Sequence, residues 1–172
     1  MAANALDMYK AQAQVLIPIV KELTEQIGEA KTHQIIRKAL GDHFRNFGKS
    51  AFASVPGETF GKKMNAMIDI FAADGALDWK VDKQGDEEFN FTVTGCQYAE
   101  FYKQLGAPEL GFMLVCGQDY ALNEGMDDRA VMQRDTTIMQ GHGSCQFRWH
   151  LAKDKAEAEQ QRATEQAKNN VW

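Results

Sequence analysis

Near residue 78 the apolar residues of this 172-residue chain change their period, and that switch limits the fold more than any other feature. Upstream, Leu6, Tyr9, Ala13, Leu16, Ile17, Val20, Leu23 and Ile27 recur at helical spacing, and Gly28 suits a C-cap. Pro18 lies inside that stripe and predicts a kink or a break. A second stripe carries Ile35, Ile36, Ala39, Leu40, His43, Phe44 and Phe47, with Gly48 expected to close it. A third carries Phe60, Met64, Met67, Ile68 and Phe71 and stops at Asp74-Gly75.

Downstream the pattern alternates. Trp79 and Val81 oppose Lys80 and Asp82, while Phe89, Phe91 and Val93 oppose Asn90, Thr92 and Thr94. The turn-rich Lys83-Gln84-Gly85-Asp86 joins them as a hairpin. A short helix is expected from Cys96 to Leu105. Pro108 opens another reaching about Glu124, with Gly125 as its stop. Two more strands, Val131 to Met139 and Cys145 to Leu151, are linked by Gln140-Gly141-His142-Gly143-Ser144. The polar stretch from Lys153 to Asn170 favours helix by composition, yet its thin alanine stripe suits only loose docking or partial disorder. The expectation is one α+β domain over residues 1–152, with N-terminal helices packed on a largely antiparallel sheet of about four strands, followed by a polar helical tail over 153–172.

With 44% hydrophobic and 25% charged residues, the chain has the material for an ordinary core. A net charge of −5 offers no basic footprint for a nucleic-acid backbone. The first residues lack a signal-peptide pattern, and Val15 to Val20 falls far short of the roughly 20 apolar residues that span a bilayer. A cytoplasmic protein with a small-molecule substrate, and without nucleic-acid or membrane partners, is therefore expected. Self-association through the alanine-rich tail stays open.

Chemistry-capable residues crowd between Cys96 and His150. The three cysteines, Cys96, Cys116 and Cys145, include no CxxC pair and are read as reduced thiols. Cys96 and Glu100 are four apart, and Cys116 and Asp119 three apart, spacings that share a face if both members are helical. On the last strand Cys145, Phe147 and Trp149 share one face, and Gln146, Arg148 and His150 the other. A ligand touching Cys145 would then miss Arg148 unless Cys145 sits at the strand end. Each residue also has a plainer reading. Cys116 follows the apolar Met113-Leu114-Val115 and suits an inert buried thiol, His142 between glycines suits an exposed loop, and the acids suit solvated helix faces.

The run from Cys96 to Gly111, CQYAEFYKQLGAPELG, resembles the core of the L-2-amino-thiazoline-4-carboxylic acid hydrolase family. Val115-Cys116-Gly117-Gln118-Asp119, the threonine strand Thr136-Thr137-Ile138-Met139-Gln140-Gly141, and Cys145-Gln146-Phe147-Arg148 are similar to its later motifs. The resemblance covers roughly residues 10 to 150. It departs at Gln146, where the family pattern carries an acid.

That resemblance implies a hydrolase acting at a carbon–nitrogen centre other than a peptide bond, opening a 2-aminothiazoline ring to N-carbamoyl-L-cysteine. Such chemistry needs a nucleophile, a proton-transfer group and a carboxylate anchor. A cysteine-centred site would use Cys96, Cys116 and Cys145, with His142, Glu100 or Asp119 moving protons and Arg148, Arg134 and Tyr98 holding substrate. No cofactor is required by this reading. The cysteine spacing matches no short zinc motif, though Cys96, Cys116 and Cys145 together could ligate zinc or an iron–sulfur cluster. The competing reading, from a different class, is a non-catalytic small-ligand- or metal-binding sensor or redox module.

Overall fold

The computed structural model describes residues 4–168. Helix α1 spans Ala5–Ile27 and starts at Asn4, whose side chain accepts from the Asp7 amide. It runs through Pro18 without a break. Pro18 and Gln14, whose carbonyl loses its usual partner, are both exposed, which lowers the cost of carrying the proline inside the helix.

Helix α2 spans Glu29–Ser54, passing through Gly48 instead of ending there. The reason is tertiary. A Cβ on Gly48 would strike the Leu122 carbonyl of α6 (Gln118–Met126), and one on Gly125 would strike the Arg45 carbonyl of α2. Both glycines are contact points of a close helix crossing; Gly48 is no stop, whereas α6 does end one residue past Gly125. An Arg45–Glu124 ion pair at 2.6 Å ties the same crossing.

Helix α3, Phe60–Ala72, is capped by the Thr59 hydroxyl and buries Phe60, Met64, Met67 and Ile68. Strands β1 (Leu77–Gln84) and β2 (Glu88–Cys96) form the expected hairpin, and α4 follows at once over Gln97–Gln104. The helix expected from Pro108 forms as one run to Met126, within which a π-helical turn (Phe112–Cys116) separates α5 (Pro108–Gly111) from α6. Strand β3 covers Ala130–Arg134 only. Residues 135–137 leave the sheet, a short 3-10 turn occupies Ile138–Gln140, and β4 returns over Cys145–Leu151.

The four strands are all antiparallel in the order β1-β2-β4-β3. Phe89, Phe91, Val93, Met132 and Trp149 pack with α3 and α4 side chains in one core. Helix α7, Lys155–Lys168, docks against β3, where Val131, Ala152 and Ala158 make a small second cluster. Its side chains also serve the β3 edge. Arg162 donates to the Asp128 and Ala130 carbonyls, and Glu165 accepts from the Arg134 amide at 3.2 Å. An α+β fold with N-terminal helices, an antiparallel sheet and a C-terminal helix is thus what the sequence forms. No helix among the described residues is long and apolar enough to cross a membrane.

Candidate functional site: a thiol-lined cavity

Strand alternation builds one wall. Pairing sets Val93 opposite Cys145, Phe91 opposite Phe147 and Arg134 opposite Phe147 from the other side. Cys145, Phe147, Trp149, Phe91 and Arg134 therefore share the inner face. The rings of Phe91 and Phe147 lie 4.6 Å apart at 14°, and those of Phe147 and Trp149 5.0 Å apart at 6°. The Arg134 guanidinium sits 5.1 Å from the Phe147 ring centre and 5.3 Å from that of Tyr120, a cation held against π faces.

Helices build the opposite wall. Cys96 is the N-cap of α4, its sulfur accepting from the Ala99 amide at 3.4 Å. Tyr98 donates its hydroxyl to the Phe71 carbonyl at 3.0 Å and meets Tyr9 of α1 edge-on. The π-helical turn holds a wider ring of backbone than an α-turn, and such turns recur at functional sites. It delivers Val115 and Cys116 to the same space, and Gln118 and Asp119 follow in the first turn of α6.

Between the walls lies a cavity of about 110 Å³ lined by Cys96, Cys116 and Cys145 together with Asp119, Arg134 and Tyr98. That is near the roughly 150 Å³ of an apolar cavity able to take one benzene-sized ring. Met64, Met67 and Met126 complete it with adaptable side chains.

Arg134 is buried, ion-paired with Asp119, and donates to the Cys116 carbonyl at 2.9 Å. Its Nε has no hydrogen-bond partner among the described residues, nor do Gln118 Oε1 and Trp149 Nε1. Burial raises the Asp119 carboxyl above its ordinary range, and Arg134 pulls it back without cancelling the effect. Burial likewise pushes Cys96 up to about 11 and Cys116 well above its ordinary value. Cys145 is raised too, opposed by the Ile138 amide on its sulfur and by Arg134. Burial thus favours the neutral form of each of the three thiols.

The remaining sequence candidates lie elsewhere. Glu100 pairs with Lys103 on the exposed side of α4. Cys96 precedes the first helical residue, so the shared face expected of an i,i+4 helical pair does not arise. Arg148 is on the outer face of β4, paired with Asp135 at 2.7 Å, as alternation required. His142 holds the 137–142 turn through its Nδ1, 3.4 Å from the Thr137 amide and 3.1 Å from the Thr137 carbonyl. Among the described residues no group of three or more His, Cys, Asp or Glu side chains is arranged to hold a metal ion, so the cysteine-ligated zinc or iron–sulfur reading lacks support. Several lining residues, Tyr9, Leu77, Gln118, Leu122 and Met126 among them, were not legible as cavity wall in the sequence. Tyr9 read only as a core residue of the first stripe, and the one hint of Gln118 was a polar side chain between Cys116 and Asp119.

This chain belongs to the L-2-amino-thiazoline-4-carboxylic acid hydrolase family, whose pattern matches residues 8–149. No curated protein matches it. Among solved structures it is similar to the phenol-responsive sensory domain of the transcription activator PoxR, crystallised with phenol. The identity is 11% and the TM-score 0.55, over 88% of this chain and 80% of that one, a likeness of fold.

Proposed function

We propose that this protein is a hydrolase that opens a small, single-ring, carboxylate-bearing heterocycle of the 2-aminothiazoline type inside the cavity. The observation that carries the reading is the convergence of three thiols with the Asp119–Arg134 pair on one ring-sized space. An isothiourea carbon accepts a thiol nucleophile, and Asp119 is a carboxylate that can pair with the amidine-like nitrogens. Arg134, which lines the cavity, is the cation available to a substrate carboxylate. To yield N-carbamoyl-L-cysteine, water's oxygen ends on the ring carbon and the carbon–sulfur bond breaks. Both carbon–nitrogen bonds survive, which corrects the carbon–nitrogen assignment implied by the family resemblance. The test is mass-spectrometric turnover of L-2-aminothiazoline-4-carboxylate. Product from the wild type and none from Asp119→Asn supports the reading; no product from the wild type overturns it.

A second reading, ligand sensing without turnover, is favoured by the largely apolar lining of the cavity, including Met64, Met67, Ile68 and Phe71. The likeness to a phenol-responsive sensory domain is in keeping with it. Saturable quenching of Trp149 fluorescence by phenol, with no chemical change in the phenol and no ring opening of aminothiazoline carboxylate, would favour sensing over hydrolysis.

A further inference from the structure

We infer that Cys145 is the reactive thiol of the cavity, set up jointly by Arg134 and the Ile138 amide, and that His142 is a positioning residue that holds this amide in place. As the nucleophile of ring opening, this role rests on the hydrolase reading; the reactivity itself does not.

The three thiols differ in their surroundings. Cys96 has an amide donor on its sulfur, but that contact caps α4, and Arg134 is not among the charges acting on it. Cys116 feels Arg134, but its sulfur accepts from no amide among the described residues. Cys145 alone combines both. Its sulfur accepts from the Ile138 amide at 3.2 Å. Arg134, two positions along the same inner face on the neighbouring strand, supplies a buried cation whose Nε is unpartnered. Diagonal neighbours on adjacent strands lie about 7–8 Å apart at the backbone, within reach of a long side chain. An amide donor and a cation both favour thiolate over thiol.

The Ile138 amide is available because residues 137–142 are folded as a tight turn. The Thr137 hydroxyl accepts from the Gln140 amide at 3.2 Å, and the His142 amide donates to the Thr137 carbonyl at 3.1 Å. The His142 ring closes the same turn from its Nδ1. When protonated this nitrogen donates to the Thr137 carbonyl, and when bare it accepts from the Thr137 amide. Either way the ring acts one residue from Ile138, outside the cavity lining.

On an aminothiazoline substrate the step balances without an oxidant. The Cys145 proton passes to the Asp119 carboxylate as the sulfur bonds to the ring carbon. The ring carbon–sulfur bond breaks, and the departing sulfur takes the proton from Asp119. Water then adds to the S-linked carbon and Cys145 leaves as a thiol. One water is consumed.

The test uses limiting alkylation of the intact protein followed by peptide mapping. Iodoacetate resembles a small carboxylate ligand, and iodoacetamide is its neutral counterpart. Cys145 should be labelled first, with the iodoacetate-to-iodoacetamide rate ratio at least about tenfold above that of free cysteine, because Arg134 draws the anion. Arg134→Gln should abolish that preference; because the wild-type ratio is read directly, a misfolded variant leaves the test intact. His142→Ala should slow both reagents about fivefold at Cys145, with His142→Asn restoring part of the rate, while labelling of Cys96 stays unchanged. First labelling at Cys96 or Cys116, or a ratio equal to that of free cysteine, overturns the inference. Labelling at Cys145 in a protein that turns over no aminothiazoline upholds this thiol assignment and removes the hydrolase reading instead.

Discussion

The sheet carries two arginine–aspartate pairs, one on each face, and they behave oppositely. Arg134–Asp119 lies on the inner face, where burial raises the carboxyl despite the adjacent guanidinium. Arg148–Asp135 lies on the outer face, where hydrogen bonds from Lys168 and Arg148 lower the carboxyl. Both pair an arginine with an aspartate, but Asp135 also accepts from Lys168 and faces water. A charged pair in water saves little and costs little, whereas a buried one is expensive to assemble and more expensive to break. Retaining such a pair beside three thiols suits a role in handling ligand more than one in holding the fold.

The largest break in this comparison should come from Arg134→Met. It removes the partner of Asp119, whose side chain is 34% exposed, and the cation packed on Phe147, and should cost about 3 kcal/mol in urea unfolding, the lower end for a buried pair. Next comes the alkaline limb. The Cys96 thiol is held at about 11 in the folded protein against an ordinary 9.0, so its contribution is whole below pH 9 and lost as pH rises to about 11. Unfolding titrations should show a loss of about 2–3 kcal/mol across that window, flattened in Cys96→Ala. Arg148→Met should change stability by less than about 1 kcal/mol, and added salt should erase even that.

The smallest effect is a difference of sign in acid. Asp135, lowered in the folded state, contributes stability that is present above its unfolded value of 3.8 and lost as pH falls through the folded value. Asp119, raised in the folded state, contributes stability that is present below 3.8 and lost as pH rises through its folded value. Asp135→Asn should flatten the acid limb of stability measured by thermal melts, and a steeper limb would contradict the assignment.

Much of this was legible in the sequence because period-2 alternation is a local property. Alternation alone puts Cys145, Phe147 and Trp149 on one face and Arg148 on the other. Cys116 and Asp119 were likewise close enough in sequence to be joined. What local pattern could not reveal was any use of a residue by a distant partner. Gly48 looks like a helix stop and serves as a contact point, and Gly125 is both. Glu100 looks like a neighbour of Cys96, and the helix begins one residue too late for that. Tyr9 reaches the cavity from the far end of the chain, and only the packing of α1 against α4 reveals it.

The glycine crossing of α2 and α6 has a consequence for how this pocket can evolve. Where backbone meets backbone there is no side chain to lengthen or shorten, so that joint has no adjustable part. Enlarging the cavity for a different guest must therefore fall to the methionines of α3 and α6 and to Tyr9, which can be exchanged one at a time while the hinge-less frame stays as it is.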